Sequence, residues 1–173
     1  DRKIEEEALT VNGIAEYNPE LLGALLASAD SSIYYAPAAY YSLQSTSSFL
    51  LDFAVVEAFI NDSKYTLETD VNGRFTLTAP LVTRAANNIR IVVTKSIYRL
   101  EHEFSVYSDT SSAKKIDIKI DNYTTFISNY KRILKQKYGL PSIFVNGVND
   151  TDILTSDLYK DLVYDTNLFI TDY

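Results

Sequence analysis

The sequence predicts a mainly β protein, an antiparallel β-sandwich with one or two short helices and an extended N-terminal strand. Residues 52–93 carry most of this prediction, because apolar and polar residues alternate there with the period of a half-buried strand. Two turns interrupt the alternation, Asn61-Asp62-Ser63 and Asp70-Val71-Asn72-Gly73. Turns about a dozen residues apart are typical of a meander in a sandwich.

The alternation predicts an inward face for each strand of this stretch. The inward residues are expected to be Val56, Ala58 and Ile60, then Tyr65, Leu67 and Thr69, then Phe75, Leu77 and Ala79. Pro80 is expected to end the third strand, since proline has no amide proton to donate to a sheet. The run NNIRIVV then predicts a fourth strand.

The segment before this stretch begins with a strand over residues 9–17. Asn18-Pro19 follows as a helix start, with Asn as the N-cap and Pro in the first turn. Leu21, Leu22, Leu25 and Leu26 give that short helix one apolar face. Pro37 then divides the apolar segment 31–44.

The segment after it predicts one strand over residues 94–107, with an irregularity near Arg99. Ile116, Ile118 and Ile120 alternate as the inward face of another strand. Residues 124–138 change to helical spacing, ending before Gly139 and Pro141. Short strands at 143–145, 158–164 and 167–173 complete the prediction.

Length and composition exclude several classes of function. At 173 residues and 46% hydrophobic residues, the chain can bury one core without disulfides. The net charge of −7 disfavours nucleic acid as a partner, and no apolar run is long enough for a membrane span. The absence of Cys and Met suits an oxidising exterior, so we expect an extracellular or cell-surface location.

No catalytic constellation stands out, so we expect a protein that is not an enzyme and needs no cofactor or metal. His102 is the only histidine, and a strand position between two outward acids, Glu101 and Glu103, accounts for it better than a triad does. The Asp70 turn lacks most ligands of an EF-hand. Asn149, Asp150, Asp152 and Asp157 form an oxygen-rich loop, for which Ca²⁺ binding and plain solvation are the two alternatives.

Two surface features bear on partners. Three asparagines lie in glycosylation sequons and are candidate sites for N-linked glycans: Asn61, Asn122 and Asn149. The helix at 124–138 carries Lys131, Arg132, Lys135 and Lys137 on an otherwise acidic chain. A solvated face is the simpler interpretation, and contact with the acidic Glu5-Glu6-Glu7 of another copy is the alternative.

The N-terminal strand has two interpretations. Leu9, Val11, Gly13, Ala15 and Tyr17 share one face of it. Either this strand belongs to its own sandwich, or residues 1–17 are a donor strand that fills a groove in the next copy. In the second case the body is residues 18–173, and residues 31–60 and 94–121 are the expected groove walls.

Three family resemblances add to this interpretation. The segment 54–80, with Thr69, Asp70, Gly73 and Phe75, resembles carboxypeptidase-regulatory-like, transthyretin-type sandwiches, which implies a non-catalytic Ig-like fold. The segment ALTVNGIAEY is similar to the donor strand of chaperone–usher pilins, although the pilin cysteine pair is absent. In general composition the chain is similar to the subunits of archaeal extracellular threads and pili, which implies assembly by donor-strand complementation.

We therefore predict a subunit of an extracellular filament, assembled head to tail from identical copies, for adhesion or cell–cell contact. The alternative is a monomeric, non-catalytic binding module of a secreted protein, for carbohydrate recognised by surface tyrosines and by the loop Asn146–Asp157. A hydrolase is the third hypothesis, because no nucleophile with its base is evident.

Overall fold

The computed structural model describes residues 6–18, 48–108, 114–122, 124–129 and 132, with the backbone alone for residues 6 and 7. This part of the chain is mainly β, with two sheets and one short helix, which confirms the predicted fold class. The described residues of the helix, α1, are 122, 124–129 and 132. The strands are β1 (Glu6–Tyr17), β2 (Phe49–Leu50), β3 (Val55–Ile60), β4 (Ser63–Glu68), β5 (Arg74–Val82), β6 (Ala85–Lys95), β7 (Tyr98–Ser108) and β8 (Lys114–Ile120).

Sheet I is built around β1. On one side β1 pairs antiparallel with β5, from Glu6 opposite Val82 to Ile14 opposite Arg74. On the other side it pairs parallel with β8, from Leu9 beside Lys114 onward. The short β2 pairs with the last two residues of β1. The N-terminal strand is therefore the central strand of its sheet.

Sheet II is antiparallel throughout, in the order β4-β3-β6-β7. Two-residue turns connect β3 to β4 and β6 to β7, and their first residues, Asn61 and Ser96, both have a φ of 54°. A positive φ at the first turn residue matches the twist of a tight hairpin. Asn61 is a favourable residue for this conformation because its short amide tolerates the left-handed region.

The core lies between the two sheets, and its periodicity follows the predicted one. Leu9 and Val11 from β1 are fully buried, as are Val56 and Ala58 from β3. Phe75, Leu77 and Ala79 of β5 alternate with exposed residues, as predicted. Leu81 continues that inward face, and Ile89, Ile91, Val93 and Leu100 complete it from sheet II.

Three sequence expectations are wrong in detail. Residues 94–107 are not one strand, because a turn at Ser96 divides β6 from β7. β5 does not end at Pro80 but continues to Val82. Proline is tolerated there because, among the described residues, β5 pairs with β1 alone and is an edge strand. The meander is also interrupted, because β5 leaves sheet II and joins β1 in sheet I.

Helix α1 covers the outer edge of β7 with hydroxyl groups. The amide of Glu101 donates to Thr125 Oγ1 at 2.8 Å, and the amide of Glu103 donates to Ser128 Oγ at 2.9 Å. Thr124 Oγ1 donates to the carbonyl oxygen of Glu101 at 2.9 Å. These side chains satisfy backbone groups that a neighbouring strand would otherwise satisfy.

Several predicted elements lie outside the described residues. They include the first helix, the segment around Pro37, the loop at 146–157 and the C-terminal strands. The helix predicted over 124–138 is confirmed for its described residues, and Phe126 on its inner face is buried in the core.

Candidate strand-exchange site

The candidate site consists of β1 and the residues that hold it. All five residues predicted for the donor face point into the core: Leu9, Val11, Gly13, Ala15 and Tyr17 are buried. The structure of the single chain places them in its own sheet, between β5 and β8. Of the predicted groove walls, β8 and β2 lie within the expected ranges, and β5 is a wall that the sequence did not indicate.

Gly13 is the narrowest point of the site. It lies directly opposite Phe75 in the β1–β5 register. A Cβ atom at position 13 would lie 2.2 Å from Cζ of the Phe75 ring, closer than any real contact allows. Glycine is therefore required here by the close approach of the ring, and Phe75 fills the space that a side chain would take.

The tight turn after β4 holds the end of β1. Asp70 Oδ1 accepts hydrogen bonds from the amides of Asn72 and Arg74, at 2.8 and 2.9 Å, and Gly73 has a φ of 69°. The Gly73 carbonyl accepts the amide of Ala15 at 2.9 Å. The turn predicted at 70–73 thus continues the pairing of β1 just before β5 begins.

An aromatic cluster and one amide mark the point where β1 ends. The Tyr17 ring lies 4.6 Å from Tyr98 and 5.7 Å from Phe49, between centroids. Burial, with a smaller effect from Tyr98, raises the pKa of Tyr17 to about 12, so the phenol stays neutral. One residue later, the amide of Asn18 donates to Oδ1 of the fully buried Asn122 at 2.6 Å.

The outer face of β1 is mostly polar. Thr76 Oγ1 donates to Asn12 Oδ1 at 3.1 Å, and Lys119 Nζ lies 3.2 Å from a Glu16 oxygen. An open groove of about 440 Å³ crosses this face, lined by residues of β1, β5 and β8 that include Ile14, Arg74 and Asp117. These side chains form cross-strand pairs and no nucleophile–base pair, so we assign the groove no chemistry.

The interpretation of Glu101 as an outward acid is wrong. Its side chain is fully buried and forms ion pairs with three arginines from three elements, Arg90, Arg99 and Arg132. Burial raises the pKa of Glu101, but the hydrogen bond from Arg90 and the charges of the three arginines outweigh it and hold the pKa below its usual value. Sequence reasoning missed this cluster because two of its arginines, Arg90 and Arg132, lie 11 and 31 residues from Glu101 in the chain.

Arg132 was expected on a solvated helix face or against another copy. It instead pairs within its own chain, and its side chain also donates to Asn129 Oδ1 at 3.0 Å. The other three cations of that helix, and the acidic leader Glu5-Glu6-Glu7, lie in part or wholly outside the described side chains.

The remaining candidates are placed as follows. The His102 ring is half-buried and stacks on Phe104 with centroids 4.7 Å apart. Nδ2 of Asn61 donates to Asn87 Oδ1 at 2.9 Å, although Asn61 is exposed. Asn122 is fully buried, and its Nδ2 has no hydrogen-bond partner among the described residues. Asn149 lies outside them.

Within the part of the chain that the structure describes, no three carboxylate or imidazole groups are placed to share a metal ion. No helix there has both the length and the apolar character to cross a membrane. A scan against protein-family models finds no match to this chain, and searches of curated proteins and of solved structures likewise find none.

Proposed function

We propose that the chain is a structural subunit of an extracellular filament for adhesion or cell–cell contact. β1 of one copy would fill sheet I of the next copy, head to tail, and the subunits would be identical. The observation that carries this proposal is the position of β1, which is the first strand in the sequence and the central strand of its sheet.

The position matters because, in the part of the chain that the structure describes, β1 alone joins β5 to β8. Among the described residues these two strands do not pair with each other. β1 has nine backbone partners on β5 and seven on β8, so its departure opens both edges. Open edges of this length bind any strand of suitable pattern, and a second copy of β1 has that pattern.

The side chains of β1 give the exchange its driving force. Leu9 and Val11 are fully buried, and burying a side chain of this size contributes about 1.5–3 kcal/mol. The same contacts form whether β1 comes from its own chain or from another. The balance therefore depends on protein concentration and on the connection between Asn18 and Ser48.

The extracellular location and the glycans are supported by sequence alone. The chain contains no Cys and no Met, and Asn61 lies in a sequon on an exposed hairpin turn. The absence of Cys and Met would benefit a cell-surface polymer, since neither sulfur oxidation nor disulfide exchange could alter its core.

A peptide-complementation experiment tests the exchange. The full chain with Val11→Asp cannot fill its own groove, because a carboxylate would be buried without a partner. We expect a synthetic peptide of residues 1–18 to bind this variant and restore its cooperative thermal unfolding. The matched control is the same peptide with Gly13→Val, which the Phe75 ring should exclude.

Electron microscopy and light scattering of the unmodified chain complete the test. Fibres or concentration-dependent oligomers support the proposal, and they should contain mixed species when two labelled preparations are unfolded and refolded together. A monodisperse monomer at every concentration, with no peptide binding by the Val11→Asp variant, would rule it out and favour a monomeric binding module.

A further inference from the structure

Four exposed apolar side chains lie at the end of the sandwich where β1 ends. Phe49 and Leu50 are each 38% exposed, Phe53 is 57% exposed and Val71 is 64% exposed. Phe53 and Val71 lie in two turns that meet where the Phe53 amide donates to the Asp70 carbonyl at 3.3 Å. Phe49 and Leu50 form β2 beside them, and Leu50 packs beside Gly73. We call these four residues the end patch. A group of exposed apolar residues at one place indicates an interaction surface more often than scattered ones do.

Phe53 is the least expected member of the end patch. Its φ is 51°, in the left-handed region that bulky residues rarely adopt. The tight turn itself is explained by its flanking residues. Leu51 and Ala54 are fully buried, and Thr69 Oγ1 accepts from the Ala54 amide and donates to the Leu51 carbonyl. Asparagine or glycine would form this turn with less strain, and neither would expose an aromatic ring. The turn therefore does not account for the choice of phenylalanine at position 53.

The chain connectivity indicates what that contact is. Tyr17 pairs with Phe49, so both ends of the connection 19–47 lie at the end patch. When β1 of one copy fills the sheet of another, its Asn18 emerges beside the acceptor's end patch. The chain must then return to Ser48 beside the donor's own end patch. A connection of 29 residues spans at most roughly 100 Å when fully extended, so the two end patches are tethered to each other.

We propose that the end patch binds the end patch of a second copy, namely a neighbour that gives β1 to it or receives β1 from it. Because this contact uses the same patch on both copies, it joins neighbours two by two along a head-to-tail filament. The inference rests on the proposed function, because the exchange provides the tether. Four apolar side chains per copy form a small contact that is weak for free partners. Tethering raises the effective concentration to the millimolar range, at which such a contact forms. Contact through the end patch then sets the orientation of exchanged neighbours.

Single-cysteine variants of the full chain test this contact, since the natural sequence has no cysteine. In assembled material, Phe53→Cys should cross-link into covalent dimers under mild oxidation. Tyr107→Cys is the matched control, because Tyr107 is 58% exposed and lies nine residues along β7 from Tyr98, away from the end patch. Equal cross-linking by both variants would indicate random collision and overturn the inference.

A second variant measures the contribution of the contact. Phe53→Asn suits the left-handed turn, so the monomer should remain folded with an unchanged or higher melting temperature. Assembly should require about tenfold more protein, as expected when one aromatic contact is lost. Unchanged assembly of Phe53→Asn, with peptide binding to the groove intact, overturns the end-patch contact and leaves β1 exchange standing. Failure of the unmodified chain to exchange β1 at all overturns both.

Discussion

Phe75 stands directly across from Gly13 and occupies the volume that a side chain at position 13 would need. This relationship fixes the register of β1 in sheet I. A shift of one residue would bring Asn12 or Ile14 onto the ring and turn the whole apolar face outward.

Gly13→Ala should therefore destabilise the fold by about 1–3 kcal/mol, through overpacking against the ring. Phe75→Leu in the same chain should recover part of this loss, because the shorter side chain leaves room for the new methyl group. Chemical denaturation of both single variants and the double variant measures the coupling. Ile14→Ala, on the opposite face of β1, serves as a control that Phe75→Leu should not rescue. Strictly additive effects at positions 13 and 75 would contradict this account.

The cluster around Glu101 predicts that the free energy of unfolding decreases at acid pH. The folded-state pKa of Glu101 is lowered, so its stabilising effect is present above the unfolded value near 4.3. That effect is lost as the pH falls through the folded pKa. The free energy of unfolding should decrease below about pH 4, and Glu101→Gln should flatten that decrease.

Glu101→Gln should also lower stability at neutral pH, because three arginines then lose their shared carboxylate. Urea unfolding between pH 3 and 7 checks both effects. Glu57→Gln is the control, since that carboxylate pairs with Lys64 on the surface and should matter little. If the free energy of unfolding of Glu101→Gln decreases as steeply at low pH, the decrease arises from other carboxylates.

The hydroxyls of α1 predict a specific effect on the edge of β7. The double variant Thr125→Ala, Ser128→Ala leaves two backbone amides of β7 without their acceptors. Stability should fall by about 1 kcal/mol or more for each, since a buried donor without a partner is costly. Thermal unfolding measures the loss, and Thr66→Ala, an exposed residue of β4, is the control.

The uncovered edge of β7 should also promote aggregation on heating, as unprotected edge strands do. Light scattering during the thermal ramp detects it. An unchanged onset of scattering in the double variant would mean that other groups protect this edge.

Burial of Asn122 predicts that its sequon stays unmodified in folded protein. The side chain is fully buried and its Oδ1 holds the amide of Asn18, so a glycan on Nδ2 is incompatible with this fold. Mass spectrometry of secreted, folded protein should find no glycan at Asn122. Asn61 is exposed, and any occupancy of these two sequons should be at Asn61. Folded protein with a glycan at Asn122 would contradict the placement of this residue.

Much of the fold follows from local patterns in the sequence. The alternation of β1, β3, β5 and β8 correctly predicts which face of each strand is buried. The four residues Thr69, Asp70, Gly73 and Phe75 stand out in the sequence, and each has a physical role near the end of β1. Thr69 bonds to the turn at 51–54, Asp70 and Gly73 form the tight turn, and Phe75 packs over Gly13.

The features that the sequence does not predict depend on long-range pairing. Alternation identifies the inward face of β5 but not the strand with which β5 pairs. The sequence pattern therefore does not predict that β5 belongs to sheet I. Glu101 is a charged residue on a strand, for which exposure is the usual outcome. Only the approach of Arg132 from α1 and of Arg90 from β6 makes its burial favourable.

The central place of β1 has a consequence for biosynthesis. Leu9 leaves the ribosome more than a hundred residues before its neighbour Lys114, so sheet I cannot close until β8 has been made. Until then the apolar face of β1 has no complete sheet to pack into, and in every nascent molecule it is exposed to other proteins. Under the proposed function, β1 has to stay shielded until the chain is released, when it pairs either within its own chain or with a neighbouring copy.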